Sequence, residues 1–291
     1  MMMRKVIYYF TGTGNSLRAA KKIAERLGDT ELISMRNPPE EVSAKEYDVI
    51  GFIYPVYHWT MPEPVVQFVE KLSMNKNAYV FVVTMPSFVN GHASEKLEEI
   101  LKKKEIMISY GAKVNGVANY VIVYSPMPSP KWVVPRTERK ISKIAEEIAN
   151  RKVKKIPRAS AYIRKKYPKV MPSYKVLQVY ADIPFTVSKA CISCGLCSRV
   201  CPVENISIVD GKPTFLHHCA QCMACVCYCP KRAIGYKISK EDMEQLNDIA
   251  ENVSVIKLMG LPDKRTLYHN PYITAADLTK NHFVIEKNQR N

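Results

Sequence analysis

Nowhere do the 291 residues approach the roughly 20 consecutive apolar residues that a membrane-spanning helix needs, so no membrane span is expected. A secretory cleavage pattern is missing too. The first ten residues have a positive start and a short apolar run, but they pass straight into a polar turn with no small-residue cleavage site. They are expected to be the first strand of a cytoplasmic protein, where nine cysteines point to metal ligation over disulfides. Between Glu147 and Asp182 there is no acidic residue at all, while ten Lys and Arg occur from Arg151 to Lys175. The formal charge of +16 invites nucleic acid, yet no helix-turn-helix or finger motif accompanies it, and anionic cofactors would offset part of it. Nucleic acid is therefore not expected as a partner.

What is present begins with an alternation of strand-like and helix-like patterns. Residues 4–10 form a β-branched and aromatic run, and Leu17, Ala20, Ile23, Ala24 and Leu27 mark one face of a helix. Further strands are expected at 31–35, 47–53 and 78–84, and a fifth within 112–124. Helices are expected at 62–72, 93–103 and 137–151. This rhythm implies an α/β fold with a doubly wound, parallel, five-stranded sheet and right-handed crossovers. The organisation that follows is residues 1–150 as the first domain, a basic linker at 151–181, a cysteine-dense domain at 182–240 and an extension at 241–291. The extension carries no cofactor motif and is expected to form a helix and an irregular tail that pack back on the rest.

The cysteines fall in two runs, Cys191-x2-Cys194-x2-Cys197-x3-Cys201-Pro202 and Cys219-x2-Cys222-x2-Cys225-x3-Cys229-Pro230. Between them lies a hairpin pattern with an Asp210-Gly211 turn. A zinc ribbon is the competing reading, but such sites show two CxxC pairs without the terminal Cys-Pro. The spacing resembles that of bacterial two-cluster ferredoxins, in which the fourth cysteine of each run serves the other cluster. That resemblance implies a small α+β domain with two [4Fe-4S] clusters. One would be held by Cys191, Cys194, Cys197 and Cys229, the other by Cys219, Cys222, Cys225 and Cys201. Cys227 fits no ligand spacing and is expected to be a small buried side chain. His217 and His218 are expected to be exposed turn residues.

The turn Thr11-Gly12-Thr13-Gly14-Asn15-Ser16 between first strand and first helix is the other motif. It is not a Walker A loop, because no Lys follows the second glycine. Nor is it a dinucleotide fingerprint, since Leu17 stands at the third glycine position. Backbone amides, hydroxyls and a helix N-terminus without any cation suit a monophosphate. The hexamer closely resembles the flavodoxin phosphate loop, which implies FMN at the carboxyl ends of the central strands. Two later loops would then hold the flavin ring, through Pro55, Val56, Tyr57, His58 and Trp59 in one and Thr84, Ser87, Asn90 and Gly91 in the other. Their aromatics have an alternative use as a cover for the sheet end.

A flavodoxin-like domain followed by a two-cluster ferredoxin domain resembles the flavo-ferredoxin fusions of anaerobic bacteria and archaea. The resemblance covers residues 4–150 and 182–236. It implies an electron-transfer flavoprotein that passes electrons between the clusters and FMN, serving a protein redox partner, acidic by charge complementarity. The alternative is an FMN-dependent oxidoreductase acting on a quinone or porphyrinogen type of substrate, with the clusters as its supply. Oligomeric state, direction of electron flow and the use of the basic linker, as solvated surface or as a steering patch, stay open.

Overall fold

The computed structural model of the chain describes residues 3–36, 42–180, 182–241 and 259–286. In the extension, residues 242–258 lie outside the described residues, and a one-turn helix, Ala275–Leu278, is described beyond them.

Two runs without a polar break, VIGFIYP and YVFVVTM, form β4 (Val49–Pro55) and β6 (Tyr79–Met85). Nearly every residue in them is buried, as expected of strands covered on both faces of a parallel sheet. They sit inside a sheet with β1 (Lys5–Tyr9), β2 (Thr30–Ser34) and β7 (Tyr110–Lys113) in the order β2-β1-β4-β6-β7, all neighbours parallel. A short parallel pair, β3 (Val42–Ala44) with β5 (Leu72–Met74), lies outside it.

The helices cover the two faces through their apolar stripes. On one face α1 (Asn15–Leu27) and α4 (Pro130–Ala149) bury Leu17, Ile23, Ile141, Ile144 and Ile148. Arg18 seals their outer edge with a two-pronged ion pair to Glu138. On the other face α2 (Glu63–Lys71) and α3 (Ala93–Lys103) bury Val65, Phe68, Val69, Leu97, Ile100 and Leu101.

The expected fifth strand lies earlier than the apolar run at 117–123 suggests. Val121 and Ile122 are buried, but in a cluster with Phe185, Val226, Ile234 and Tyr236 of the cysteine-rich part. Hydrophobicity alone did not distinguish a strand from a surface that covers a second core. Helix α4 likewise starts seven residues early, at Pro130, because proline is well suited to a first helical turn.

The basic stretch is mostly helical, as α5 (Ala161–Tyr180). Ile156 and Ile163 are buried, and the side chain of Glu95, 7% exposed, ties the stretch down. It pairs with Arg164 and Arg158, and accepts the Ala159 amide at 3.0 Å and the His92 ring at 3.1 Å. With Lys154, which pairs with Glu147 at 3.4 Å, three of the ten basic charges have carboxylate partners among the described residues.

In the cysteine-rich part β8 (Phe185–Val187) pairs antiparallel with β11 (Ile234–Tyr236), and β9 (Ile206–Val209) with β10 (Lys212–Phe215) across the Asp210-Gly211 turn. Both turn residues have positive φ, 48° and 74°, as a two-residue hairpin turn requires. One-turn helices, α6 (Leu196–Arg199) and α7 (Ala224–Cys227), follow the second cysteine of each run. The backbone repeats between the runs. Ser193, Gly195 and Glu204 have φ of 56°, 66° and 54°, and their counterparts Gln221, Met223 and Arg232 have 51°, 63° and 50°.

A sixth strand, β12 (His282–Ile285), was not expected. It lies antiparallel against β2, Phe283 opposite Leu32, and closes what would otherwise be a bare sheet edge.

Replacing Glu95 by Ala leaves the Arg164 guanidinium and the buried Ala159 amide without their acceptor, while Arg158 keeps Glu98 at 2.8 Å. Urea unfolding should show a loss of about 2 kcal/mol, with the far-ultraviolet dichroism of the native state unchanged.

Candidate functional site

Loops leaving the carboxyl ends of β1, β4 and β6 converge on a cavity of about 380 Å³, within the usual range for small-molecule sites. Of the residues singled out in the sequence, Thr11, Gly12, Thr13, Asn15, Ser16, Pro55, Val56, Tyr57, His58, Trp59 and Ser87 line it. Gly14, Thr84, Asn90 and Gly91 do not. Gly14 (φ 96°) caps α1 and faces Ile273 and the Tyr228 hydroxyl. Thr84 and Asn90 are buried and hydrogen-bonded to each other, and Asn90 also donates to Ser94 Oγ at 3.1 Å. They brace the loop from beneath. Gly91, at φ 53°, leaves room for the backbone of Trp59, whose carbonyl accepts the His92 amide at 2.7 Å.

That contact anchors an unusual turn. Tyr57 and Thr60 exchange backbone hydrogen bonds at 3.1 and 2.9 Å around His58 and Trp59, which have φ of 46° and 62°. Such a turn favours Asn-Gly, so two bulky residues there store strain. His58 Nε2 lies 3.2 Å from Gln221 Oε1, which also accepts from the Tyr120 hydroxyl at 3.1 Å. Burial pulls His58 down to about 4, so it is neutral near pH 7 and can donate to Gln221.

Sequence reading missed much of the far wall: Val117, Asn119 and Tyr120 from the segment after β7, and Gln221, Cys222 and Met259. Tyr124, in a connection longer than a minimal five-stranded sheet of this kind requires, also lines the cavity. At the α1 end, Ser16 Oγ is buried and has no hydrogen-bond partner among the described residues. It stands at a helix N-terminus with no acidic residue in the first turn. Amides without intrahelical partners, an uncommitted hydroxyl and the positive end of the helix dipole fit a phosphate. Asn119 Oδ1 is a second orphan, an acceptor suited to a ligand N–H.

Two smaller cavities lie in the cysteine-rich part. One is lined by Cys191, Cys194, Cys197 and Cys229, the other by Cys201, Cys219, Cys222 and Cys225. Each takes three thiols from one run and the fourth from the other. Backbone amides point at the fourth sulfur in both, Asn205 N to Cys201 Sγ and Ala233 N to Cys229 Sγ, each at 3.3 Å. Burial pushes the Cys219 thiol up to about 12, so its ionisation calls for a compensating metal, as an iron–sulfur cluster supplies. Cys227 lines neither cavity; it is buried beside Asn119 Nδ2 at 3.7 Å. His217 and His218 are both exposed, as expected, and His217 also reaches the buried carboxylate of Asp182 at 3.0 Å.

Residues 6–112 match the family model of the flavodoxin domain, and residues 186–207 that of the 4Fe-4S binding domain. The chain joins a flavodoxin domain to a ferredoxin-type iron–sulfur segment. It is thereby an electron-transfer protein of the FMN and iron–sulfur kind. No curated protein matches it. Among solved structures, the Fusobacterium nucleatum flavodoxin bound to flavin mononucleotide is 18% identical, with 51% of this chain and 98% of that one covered and a TM-score of 0.36. A Streptococcus pneumonia TIGR4 flavodoxin is 15% identical over 51% and 99% of the two chains, with a TM-score of 0.37. An FMN-dependent NADH-azoreductase from Bacillus anthracis is 9% identical over 50% and 100%, also at 0.37. Strand order and the family match, rather than these likenesses, carry the fold.

Among the described residues no helix is long and apolar enough to cross a membrane.

Changing Ser16 to Asp sets a carboxylate where the flavin phosphate would lie, in a loop that holds no cation. The purified variant should lack flavin absorbance while keeping the wild-type iron and sulfide content; retained flavin would exclude this loop as the phosphate site.

Proposed function

We propose that the chain passes electrons between an external protein carrier and FMN through two [4Fe-4S] clusters held by the two cysteine quartets. FMN exchanges one or two electrons and a cubane exchanges one at a time, so the pair joins one- to two-electron chemistry. The observation that carries the reading is Cys222, which belongs at once to a quartet and to the wall of the flavin cavity. The quartet of Cys201, Cys219, Cys222 and Cys225 is therefore the one next to the flavin. Two clusters, and not one, are supported by the second cysteine run repeating the backbone of the first.

The residues have separable tasks. Thr11, Thr13, Asn15 and Ser16 bind the phosphate, while Tyr57, Trp59 and Tyr120 enclose the ring and exclude water. Gln221, held by His58 and Tyr120, orients the ligand loop between Cys219 and Cys222 against the flavin. The Cys191 quartet faces outward. Cys194 is exposed, as are Ile192 (56%), Ile208 (40%) and Val209 (51%) around it. Lys231 lines the cavity of this quartet, and Lys189 and Lys212, close in sequence to its lining residues Cys191 and Gly211, are exposed, with Asp210 the one exposed acid of that hairpin turn. An apolar centre with a basic rim suits an acidic carrier protein. The same path would serve an oxidoreductase acting on a quinone or porphyrinogen, a reading that no residue of the cavity singles out.

The wild-type chain should hold about eight irons and eight sulfides, the content of two cubanes. In Cys201→Ala, electron paramagnetic resonance of the reduced protein should show the flavin-side centre altered and the outer one intact. Loss of the centre bound by Cys191 instead would overturn the crossed ligation. Reversing Lys189, Lys212 and Lys231 to Glu should slow reduction by an acidic ferredoxin and abolish its dependence on salt. If reversal of Lys165, Lys166 and Lys169 did this instead, the docking face would be α5.

A further inference from the structure

The segment 268–273 lies behind the phosphate loop and touches it at its acceptors. The Asn270 amide donates to the Thr13 carbonyl at 2.8 Å. Its side-chain Nδ2 donates to Asn15 Oδ1 at 3.0 Å, and the Tyr268 hydroxyl donates to the same oxygen at 3.1 Å. Asn270 is itself held in place, since its Oδ1 accepts the Tyr272 amide at 3.0 Å. Asn270 is 4% exposed and Tyr268 8%. Asn119 fixes the segment from the other side by donating to the Tyr268 carbonyl at 2.6 Å.

Thr13 O and Asn15 Oδ1 are acceptors that would repel a doubly charged phosphate if they turned toward it. Both are engaged from behind, and an Asn15 amide whose oxygen is taken twice has its NH2 as the group left to donate. The loop then presents backbone N–H groups, hydroxyls and an amide NH2 to the cavity. A flavin without a phosphate gains nothing from this arrangement.

We infer that residues 268–273 are a positioning strap that makes flavin binding phosphate-dependent, with Asn270 as its main contact. The inference rests on the FMN reading above and adds to it a part of the chain that carries no cofactor motif.

The test compares FMN with riboflavin, each titrated into the cluster-loaded, flavin-free chain and followed by flavin fluorescence. Asn270→Ala should weaken FMN about tenfold, the size expected for one hydrogen bond at a charged ligand. Riboflavin affinity should stay unchanged, so the preference between the two ligands narrows. Tyr268→Phe, which removes one hydroxyl and little packing, should shift the preference the same way by less. Asp277→Ala breaks a 2.6 Å ion pair with Lys21 further along the same segment, away from the loop, and should alter neither affinity. Equal weakening of both ligands in Asn270→Ala would reduce the strap to a structural prop and overturn the inference. FMN binding as tight as wild type would overturn it too. A wild-type chain that bound neither flavin would overturn the FMN reading itself, a distinct result.

Discussion

The molecule depends on one close approach, that of Gly12 to Cys222. A Cβ on Gly12 would overlap the Cys222 carbonyl oxygen, and would lie 2.8 Å from the Cys222 Cβ and 2.9 Å from the Tyr57 hydroxyl. Because glycine stands there, the phosphate loop and a cysteine loop share a wall. Electron exchange between two bound groups weakens steeply with distance, so a shared wall matters more than the detailed shape of either site. The neighbouring Gly14 has a different duty. Its φ of 96° starts the helix, and its bare face admits Ile273.

That approach is held by burial spread over the whole chain. Val200, Ala224, Tyr228, Ile273 and Leu278 belong to the same buried cluster as Ile7, Leu17 and Ile23 of the sheet and its first helix. Several long-range contacts fix the angle between the parts. Arg36 donates to the carbonyls of Arg199 and Leu278, at 2.7 and 3.4 Å, and Tyr228 donates to the Ile273 carbonyl at 3.2 Å. Shared apolar burial of this kind opposes the hinge motion expected where two domains meet across a small polar surface.

Positive charge is distributed between two uses. Arg158 and Arg164 pair with Glu95 and Glu98 and hold the basic stretch on α3. The lysines around Cys191 have a different setting, an exposed apolar patch beside a cysteine quartet. A count of charges along the chain gives the first group the greater prominence. The packing gives the first group a structural task and leaves the second exposed near a cysteine quartet.

The five parallel strands and four of their helices could be read from local pattern, because parallel strands and amphipathic faces are encoded by neighbours in sequence; the crossed grouping of the cysteines came from the resemblance of their spacing to two-cluster ferredoxins. The hexamer Thr11–Ser16 was legible as a turn into a helix N-terminus, without an acid or a cation, for the same local reason. Where an apolar side chain finds its core is not a local property, so Val121 and Ile122 read as a strand and instead cover the cysteine-rich part. Orientation is not local either. Asn90 stands in the loop after β6 and turns inward to Thr84 near the end of that strand. The roles of β12 and of Asn270 were hidden because an edge strand and a strap are defined by what they lie against, Leu32 in one case and Asn15 in the other. Sequence alone marked the two candidate sites by their residue types and spacing; tertiary structure alone decided that they touch, because only the folded chain brings Gly12 and Cys222, 210 positions apart, into one wall.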